Sequence, residues 1–350
     1  MATERARSRC RENLLALADA ALDADALRLE AVGLLQQTVG FDRWCWPLAD
    51  PETLIPLSGL AHHDYGPSVP RVLELEFSGA DVASMDDVAR RRSPVSALSG
   101  ETGGDLGRSP RWDEVLRLLG IGDEAVLACR DGLGCWGWLK AYRDHSDRAF
   151  SPDELALLAD VATALGRGLR RADGRSTSAL PVAPTSAGVL ALDDCLAPVS
   201  STAAARDWIS ALPGAAAYVA FGMLPAMVYP IATRARRGKA AHVLERTAQG
   251  QWVLIEAATL DSPGAGSVAV TFRSPTPAET FDRLARIYGL TSRERDIVEA
   301  VAAGHDTAAM SAQLSISPLT VQDHLKSIFD KTGSRSRAAL ASRFASGAGR

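Results

Sequence analysis

The start and stop signals of helices near the carboxyl end constrain the fold of this chain more than any other feature. Thr291 and Glu294 form a capping box, because each side chain can bond the backbone amide of the other residue. The helix that follows places Ile297 and Val298 on one face. Gly304 suits the left-handed conformation that ends a helix. We therefore predict a short amphipathic helix between Thr291 and Gly304.

Two further helices are predicted directly after it, separated by a tight turn. Asp306 or Thr307 caps a short helix that runs to Leu314. Only two residues then precede Ser317, which caps a longer helix with Pro318 in its first turn. Two helices joined in this way, the second capped and amphipathic, predict a helix-turn-helix.

The longer helix is predicted to have a buried and an exposed face. Its apolar residues repeat with helical spacing from Val321 to Ile328, and Gln322, Asp323 and Lys326 point away from them. A helix of this diameter fits the DNA major groove. There Gln322 can bond adenine bidentately and Asp323 can accept from cytosine N4. Lys326 and Lys331 lie nearer the phosphates, where charge supplies affinity without sequence information.

This segment resembles the LuxR-type helix-turn-helix domain of bacterial transcription regulators. The resemblance spans about residues 286–346 and rests on Leu290, Thr291, Arg293, Glu294, Arg295, Val298, Gly304, Leu314, Ile316, Ser317, Thr320, Val321, His324, Ile328, Lys331, Gly333, Arg335, Ser336 and Arg337. It implies that the helix from Thr320 to Lys331 enters the major groove and that a last helix, about Arg337 to Phe344, serves dimerisation. Three residues depart from the pattern of the family. Gln322 stands where Lys is common and indicates a different base preference, while Thr332 and Ser311 replace the usual Leu and Ala.

The predicted DNA-contacting set combines this geometry with the resemblance. The amino ends of two helices, at Thr307 and Ser317, favour phosphate oxygens, and His324 is assigned a phosphate-binding or helix-positioning role. The full set is Thr307, Ser317, Thr320, Val321, Gln322, Asp323, His324, Lys326 and Lys331. The alternative is a degenerate four-helix domain that packs against the rest of the chain.

The charge distribution agrees with a nucleic-acid partner at one end only. The whole chain has a net charge of -4, which excludes a generally basic protein that coats nucleic acid. From Thr320 to the end, six basic residues and two acids give a net charge of +4. Such asymmetry is typical of a DNA-binding domain on an acidic body.

Composition divides the rest of the chain into two further domains. Residues 172–187 are rich in Ser, Pro and Thr and predict a linker, and two prolines interrupt the chain between Arg273 and Ala278. We predict a multidomain α+β fold with a sensor domain at 1–171, a second at 188–275 and an all-α helix-turn-helix domain at 280–350.

The first segment resembles a GAF domain. A helical pattern over 11–39 and a strand over 41–48 precede a loop-rich stretch, and two strands at 124–130 and 135–143 flank an Asp-Gly turn. Ser151 and Glu154 then cap a helix, and together with Phe150 they fit the closing motif of that family. The resemblance implies a fold and names no effector.

The second segment resembles a PAS domain. Residues 188–194 predict an opening strand and turn, and Ala203–Trp208 a short helix. Trp252–Thr259 and Ser267–Phe272 predict a closing hairpin that turns at 261–266. No motif for a flavin or haem is evident, so no cofactor is predicted.

Four tryptophans are the candidates for a ligand pocket. Trp44 and Trp46, and likewise Trp136 and Trp138, alternate with period two, so each pair is predicted to share a strand face. The four indoles can line an apolar pocket, or they can form a domain core or a contact between sensor domains.

No metal site or membrane span is predicted. The His62-His63-Asp64 cluster lacks a further ligand at suitable spacing, and the five cysteines form no CxxC pair. The uncharged stretch Trp208–Thr233 contains three prolines, which would break too many backbone hydrogen bonds in lipid. We expect a buried strand and helix there, and a cytoplasmic protein.

These patterns together predict a DNA-binding transcriptional regulator under the control of sensor domains. Double-stranded DNA is the expected partner, a homodimer the expected assembly, and a small-molecule effector of unknown identity the expected input. Enzyme signatures such as GxxxxGK[ST], GxSxG and HExxH are absent from the sequence. Two alternatives stay open, an enzyme with a fused helix-turn-helix and a scaffold that does not bind DNA.

Overall fold

The computed structural model describes residues 3–62, 65–175, 186–261 and 266–345. They form three units: a first at 3–175, a second at 186–273 and a C-terminal unit at 277–345. His63 and Asp64, most of the predicted linker and most of the predicted turn at 261–266 lie outside the described residues.

The first unit is an antiparallel sheet with helices on both faces. Its elements are α1 (Glu4–Asp19), α2 (Ala24–Val39), β1 (Arg43–Ala49), β2 (Pro56–Ala61), α3 (Val69–Ser78), α4 (Met85–Arg90), β3 (Val95–Ala97), α5 (Leu98–Thr102), β4 (Ile121–Asp131), β5 (Gly134–Asp144) and α6 (Pro152–Arg175). The strand order is β2-β1-β5-β4-β3. Helices α1, α2 and α6 pack on one face of the sheet, and α3 and α4 on the other.

Local signals set most boundaries of this unit. The helix predicted over 11–39 is two helices, because Asp23 caps a new start by accepting from the Ala26 amide at 2.8 Å. The cap predicted for α6 is confirmed, since Glu154 Oε2 accepts from the Ser151 amide at 2.8 Å. Helix α6 continues to Arg175, four residues into the predicted linker.

The second unit repeats the strand order of the first. It contains β6 (Gly188–Leu192), β7 (Pro198–Ser201), α7 (Ala203–Ala211), α8 (Ala215–Val219), α9 (Val228–Arg236), β8 (His242–Arg246), β9 (Trp252–Thr259) and β10 (Val268–Arg273). The sheet order is β7-β6-β10-β9-β8 with antiparallel neighbours. Numbered within each unit, both sheets therefore read 2-1-5-4-3.

All the regular secondary structure in the uncharged stretch 208–233 is helical. Residues 203–236 are all described, and they hold α7, α8 and α9 with no strand between them. The predicted strand in this stretch is therefore wrong, because Pro213 and Pro225 stand in turns that separate short helices. No helix among the described residues is both long and apolar enough to cross a bilayer.

Two hydrophobic cores extend across the boundaries between the three units. One apolar cluster joins α1, α2 and α6 of the first unit to the interior of the C-terminal unit. A second cluster joins the sheet of the second unit to Ile55, Leu57 and Val69 of the first. Polar bonds cross the same boundary, where Glu245 accepts from the Ser58 amide at 2.8 Å.

Candidate nucleic-acid interface

The C-terminal unit is a compact set of five helices. They are α10 (Pro277–Ile287), α11 (Ser292–Ala302), α12 (Thr307–Leu314), α13 (Pro318–Thr332) and α14 (Arg337–Ala345). The predicted capping box at Thr291 and Glu294 is confirmed, and Gly304 has a φ of 83°. The interior consists of fully buried apolar side chains, among them Ile297, Val298, Met310, Val321, Ile328 and Leu340.

A tight turn connects α12 to α13. Ser315 takes the left-handed conformation with a φ of 53°, and the Ser311 hydroxyl donates to the Ile316 carbonyl across the turn. Ser317 then caps α13 by accepting from the Thr320 amide at 3.0 Å. Asp306, rather than Thr307, caps α12. The turn therefore fixes the direction in which α13 leaves α12.

The exposed face of α13 lies at its amino-terminal half. Gln322, Asp323 and Lys326 are exposed, as predicted, and Thr320 and His324 are half-buried. Leu319 is 67% exposed on the same turn. The first backbone amides of a helix have no partner within the helix; here Pro318 has no N–H and Ser317 accepts from the Thr320 amide, which leaves the Leu319 amide beside those side chains. The arrangement suits contact with base edges and phosphates.

Two residues of the predicted DNA-contacting set interact with other parts of the C-terminal unit. Val321 is completely buried among the helices, which corrects its place in the DNA-contacting set. Lys331 Nζ lies 2.6 Å from Glu294 Oε2 and 3.1 Å from the Gly289 carbonyl. It therefore ties the end of α13 to the start of α11, and the predicted phosphate contact is not supported.

The Glu294 carboxylate is held in its charged form by these contacts. Burial acts to raise its pKa, but the hydrogen bond from Lys331 and the bonds from the Thr291 amide and the Ser327 hydroxyl outweigh it. The result is a pKa lowered to about 2. The pair thus fixes the relative position of α11 and α13.

Three residues beside this face are absent from the predicted DNA-contacting set. Leu319 stands in the first turn of the capped helix. Arg335 is exposed after the end of α13, and the basic tail was the signal for it. Arg337 Nη2 donates to Thr307 Oγ1 at 2.6 Å, which places a guanidinium beside the amino end of α12.

The family comparison covers this unit. Residues 289–344 match the model of the GerE family, described as bacterial regulatory proteins of the luxR family. The chain carries a LuxR-type helix-turn-helix domain. That domain implies DNA binding in transcription regulation, and it occupies about one sixth of the chain.

The other comparisons add little. Among solved structures, SdiA in complex with octanoyl-rac-glycerol is 14% identical, and the alignment covers 100% of this chain and 97% of that chain with a TM-score of 0.33. A likeness at this level carries no argument. No curated protein matches the chain at a significant level.

The LuxR-type domain is docked on the first unit through α10 and α14. Tyr288 Oη donates to the Gly174 carbonyl at 2.7 Å, and Arg343 Nη1 donates to Tyr288 Oη at 2.7 Å. Arg170 of α6 donates to the Ile287 carbonyl at 2.6 Å. The side chains of α13 with hydrogen bonds, by contrast, bond within residues 289–334. The docking therefore leaves the outward face of α13 exposed.

The four tryptophans do not surround one pocket; all four are buried in the cores of the first unit, which is the alternative that the sequence pattern left open. Trp44, Trp46 and Trp136 belong to the core beneath α1, α2 and α6, whereas Trp138 packs on the opposite face near α4. Trp136 and Trp138 lie on different faces because of a bulge in β5, where Cys135 pairs with Arg130 but Gly137 pairs with Cys129. The extra residue, Trp136, changes the face that the period-two pattern assigns to it.

Of these indoles, Trp136 lines a cavity. The cavity measures about 780 Å³ and lies where the three units meet. Trp252 of the second unit and Arg283 of α10 form other parts of its wall. Arg283 Nη2 lies 3.2 Å from Asp173 Oδ2, and Asp173 Oδ1 lies 3.7 Å from Arg246 Nε. One carboxylate at the end of α6 thus contacts both the second unit and the C-terminal unit.

Proposed function

We propose that this protein is a DNA-binding transcriptional regulator that reads the major groove with α13 under the control of its two amino-terminal units. The observation that carries the proposal is the exposed face of α13 within the matched LuxR-type domain. Gln322 and Asp323 stand on that face beside Lys326. Amide and carboxylate groups read base edges, whereas ammonium groups meet phosphates.

Each exposed residue has a proposed role. Gln322 bonds adenine, Asp323 accepts from cytosine N4, and Leu319 contacts a thymine methyl group. Ser317, Thr320 and Lys326 meet phosphates near the amino end of α13. Thr307 contributes at the amino end of α12, and His324 positions the helix. Arg335 and Arg337 extend the phosphate-binding surface.

We assign the first unit to the GAF-like class and the second to the PAS-like class. The 2-1-5-4-3 order of each sheet, the helices on the sheet faces and the Ser151–Glu154 start of α6 support the assignment. Sensor modules of this kind share a fold without sharing a ligand. The effector therefore has to be argued from the cavities of this chain.

Two copies of the chain are proposed to bind paired half-sites. A single C-terminal unit presents one reading helix, and two linked readers bind more tightly because the second contact is intramolecular. The input is proposed to act through α10 and α14, which connect the reader to α6 by Tyr288, Arg343 and Arg170.

The test begins with the full chain. A pool of random duplexes is selected for binding, and the affinity for the recovered sequence is measured as a function of salt concentration. Gln322→Ala is expected to lose about 1–3 kcal/mol at one base position and to leave the salt dependence unchanged. Lys326→Ala is expected to weaken all sequences alike and to reduce the salt slope by about 0.9.

Lys239→Ala is the matched control, since Lys239 is exposed in the second unit. It should bind DNA as the parent chain does. Identical effects of the Gln322 and Lys326 substitutions would contradict the assignment of base and phosphate contacts. A full chain that selects no duplex, or binds without salt dependence, would favour a scaffold instead.

A further inference from the structure

A second cavity lies between the sheet of the first unit and the helices of the second. It measures about 600 Å³, within the range of small-molecule sites. Strands β1 and β2 and helices α3 and α4 form one side, and the segment from α8 to the start of α9 forms the other. Neither unit encloses this space without the other.

The walls of this cavity are mostly apolar. Leu57 and Val72 of the first unit face Met223 and Met227 of the second. Methionine side chains adapt their shape to irregular partners. Phe221 lies at the cavity and is 62% exposed to solvent. Such walls suit an apolar body better than a polar one.

The floor of the cavity carries charge. Glu76 and Lys140 both line it, with Lys140 Nζ 2.7 Å from Glu76 Oε2 and 3.2 Å from Glu124 Oε2. Arg111 lies behind them, 3.0 Å from Glu76, 2.7 Å from Glu124 and 2.6 Å from Asp81. All five side chains are at most 4% exposed.

The charges of this network do not balance. Its three acids, Glu76, Asp81 and Glu124, face two bases, Arg111 and Lys140, which leaves one negative charge in excess. Burial acts to raise the pKa of Glu76, but Arg111 and Lys140 outweigh it and lower the value to about 2. Glu76 is therefore charged at neutral pH. A buried excess charge is costly unless a counter-charge is supplied.

Within this cavity, the hydroxyl and thiol groups beside the network carry no charge. Tyr65 and Cys45 also line the cavity, and Tyr142 bonds to both of them. Burial raises the pKa values of the Cys45 thiol and of both phenols. They stay neutral at physiological pH and can only donate or accept hydrogen bonds.

We propose that this cavity binds an amphipathic cation, a small molecule with an apolar body and a protonated amine that faces Glu76. The apolar body fills the space between the two units, and the ammonium group supplies the counter-charge to the network. A carboxylate or phosphate head would add to the excess negative charge and is rejected. The inference rests on the proposed function in one respect: the ligand of this cavity would be the effector of the regulator.

The test uses three probes with the same ten-carbon chain: n-decylamine, n-decanol and n-decanoate. Binding to the full chain is measured by calorimetry below the micelle-forming concentration of each probe, in the absence of DNA. The amine is expected to bind about tenfold or more tightly than either of the others. Equal or tighter binding of the alcohol or the acid, or no binding of the amine, would overturn the proposal.

Two variants locate the binding. Ala217→Phe places a ring in the cavity at a residue that does not line the 780 Å³ cavity, whereas Ala220→Phe adds the same ring at an exposed residue that lines neither. The amine should lose its binding to the first variant and keep it in the second; retained binding to Ala217→Phe would overturn the proposal. The Glu76→Gln variant, where it folds, should bind the amine and the alcohol with nearly equal affinity.

These measurements are separate from the DNA-binding test. A chain that binds duplex DNA but not the amine would overturn this inference and leave the proposed function standing. A chain that binds the amine but no DNA would do the reverse.

Discussion

Two polar residues replace apolar ones inside the LuxR-type domain, and each has a backbone partner. Ser311 donates to the Ile316 carbonyl across the turn between α12 and α13. Thr332 Oγ1 donates to the Ile328 carbonyl at 2.8 Å and accepts from the Ser334 amide at 3.3 Å. A buried hydroxyl with partners avoids the cost of desolvation without a bond. These departures from the usual Ala and Leu therefore fit the helix-turn-helix.

The ion pair between Glu294 and Lys331 predicts a pH dependence. The pKa of Glu294 is lowered to about 2, below its ordinary value, so its contribution is complete above about pH 5 and is lost as the pH falls toward 2. At neutral pH this contribution to the free energy of unfolding amounts to about 3 kcal/mol. We expect the hydrogen-exchange protection of α11 and α13 to fall between pH 5 and 3, and Glu294→Gln to remove that dependence.

Glu299→Gln is the control, since Glu299 is exposed on the same helix α11. It should keep the pH profile of the parent chain. A Glu294→Gln chain with an unchanged profile would show that another group stabilises this contact at low pH.

Residues that act through neighbours in the chain could be predicted from the sequence. Thr291 and Ser317 cap helices because their partners lie three residues away. The pairing of Lys331 with Glu294 could not be predicted in this way, because the two residues lie 37 positions apart and no local pattern indicates the pair. For the same reason the bond from Arg337 to Thr307 has no signal in the sequence.

At the scale of single elements, close packing between α6 and the β4–β5 hairpin sets the shape of the first unit. A Cβ atom on Gly166 would lie 2.6 Å from the backbone of Arg130. Real side chains do not approach a backbone that closely, so the helix can pack here only with glycine at this residue. The bulge at Trp136 lies in the same hairpin.

Two glycine substitutions test this packing. Gly166→Ala is expected to destabilise the chain by about 1–3 kcal/mol, because the strand must move to admit the methyl group. Gly33→Ala is the matched control within α2, where the new Cβ meets nothing within 4 Å. It should stabilise the chain by up to about 1 kcal/mol through helix propensity. Thermal unfolding of both variants measures the difference, and equal shifts would contradict the close contact.

The sequence predicts the ranges of the strands in both sheets better than the irregularities of their pairing. Strands β4, β5 and β9 fall close to the predicted ranges, because alternation and turn residues mark them locally. The bulge depends on pairing between strands and has no clear signal in one strand. The four tryptophans do not line one pocket because Trp138 lies on the sheet face opposite Trp44 and Trp46, whereas the bulge brings Trp136 to their side.

At the scale of the whole molecule, the three units form shared cores rather than separate bodies on linkers. Arg170 joins two of them, with its Nε 2.7 Å from Asp131 and its Nη1 2.6 Å from the Ile287 carbonyl. Composition marked where the units divide, but it holds no information about which surfaces meet. The 600 Å³ cavity was therefore beyond sequence reasoning, since its two walls come from different units.

A pair of arginine substitutions tests the docking of the C-terminal unit. Arg170→Met removes two charge-assisted bonds, and we expect hydrogen exchange in α10 to speed up by about tenfold or more. Arg171→Met removes an exposed ion pair with Asp19 that contributes little. It should leave exchange in α10 unchanged. The same response from both variants would show that Arg170 does not hold the contact.

The last turn of α6 holds the C-terminal unit through a single peptide oxygen. Its Gly174 carbonyl accepts from Tyr288 and lies 3.4 Å from Arg343 Nη1, both in the unit that carries the reading helix. If that unit swings away, the oxygen loses both donors at once and only water can take their place. Separation of the C-terminal unit from α6 would therefore exchange two protein donors for water at this one carbonyl oxygen.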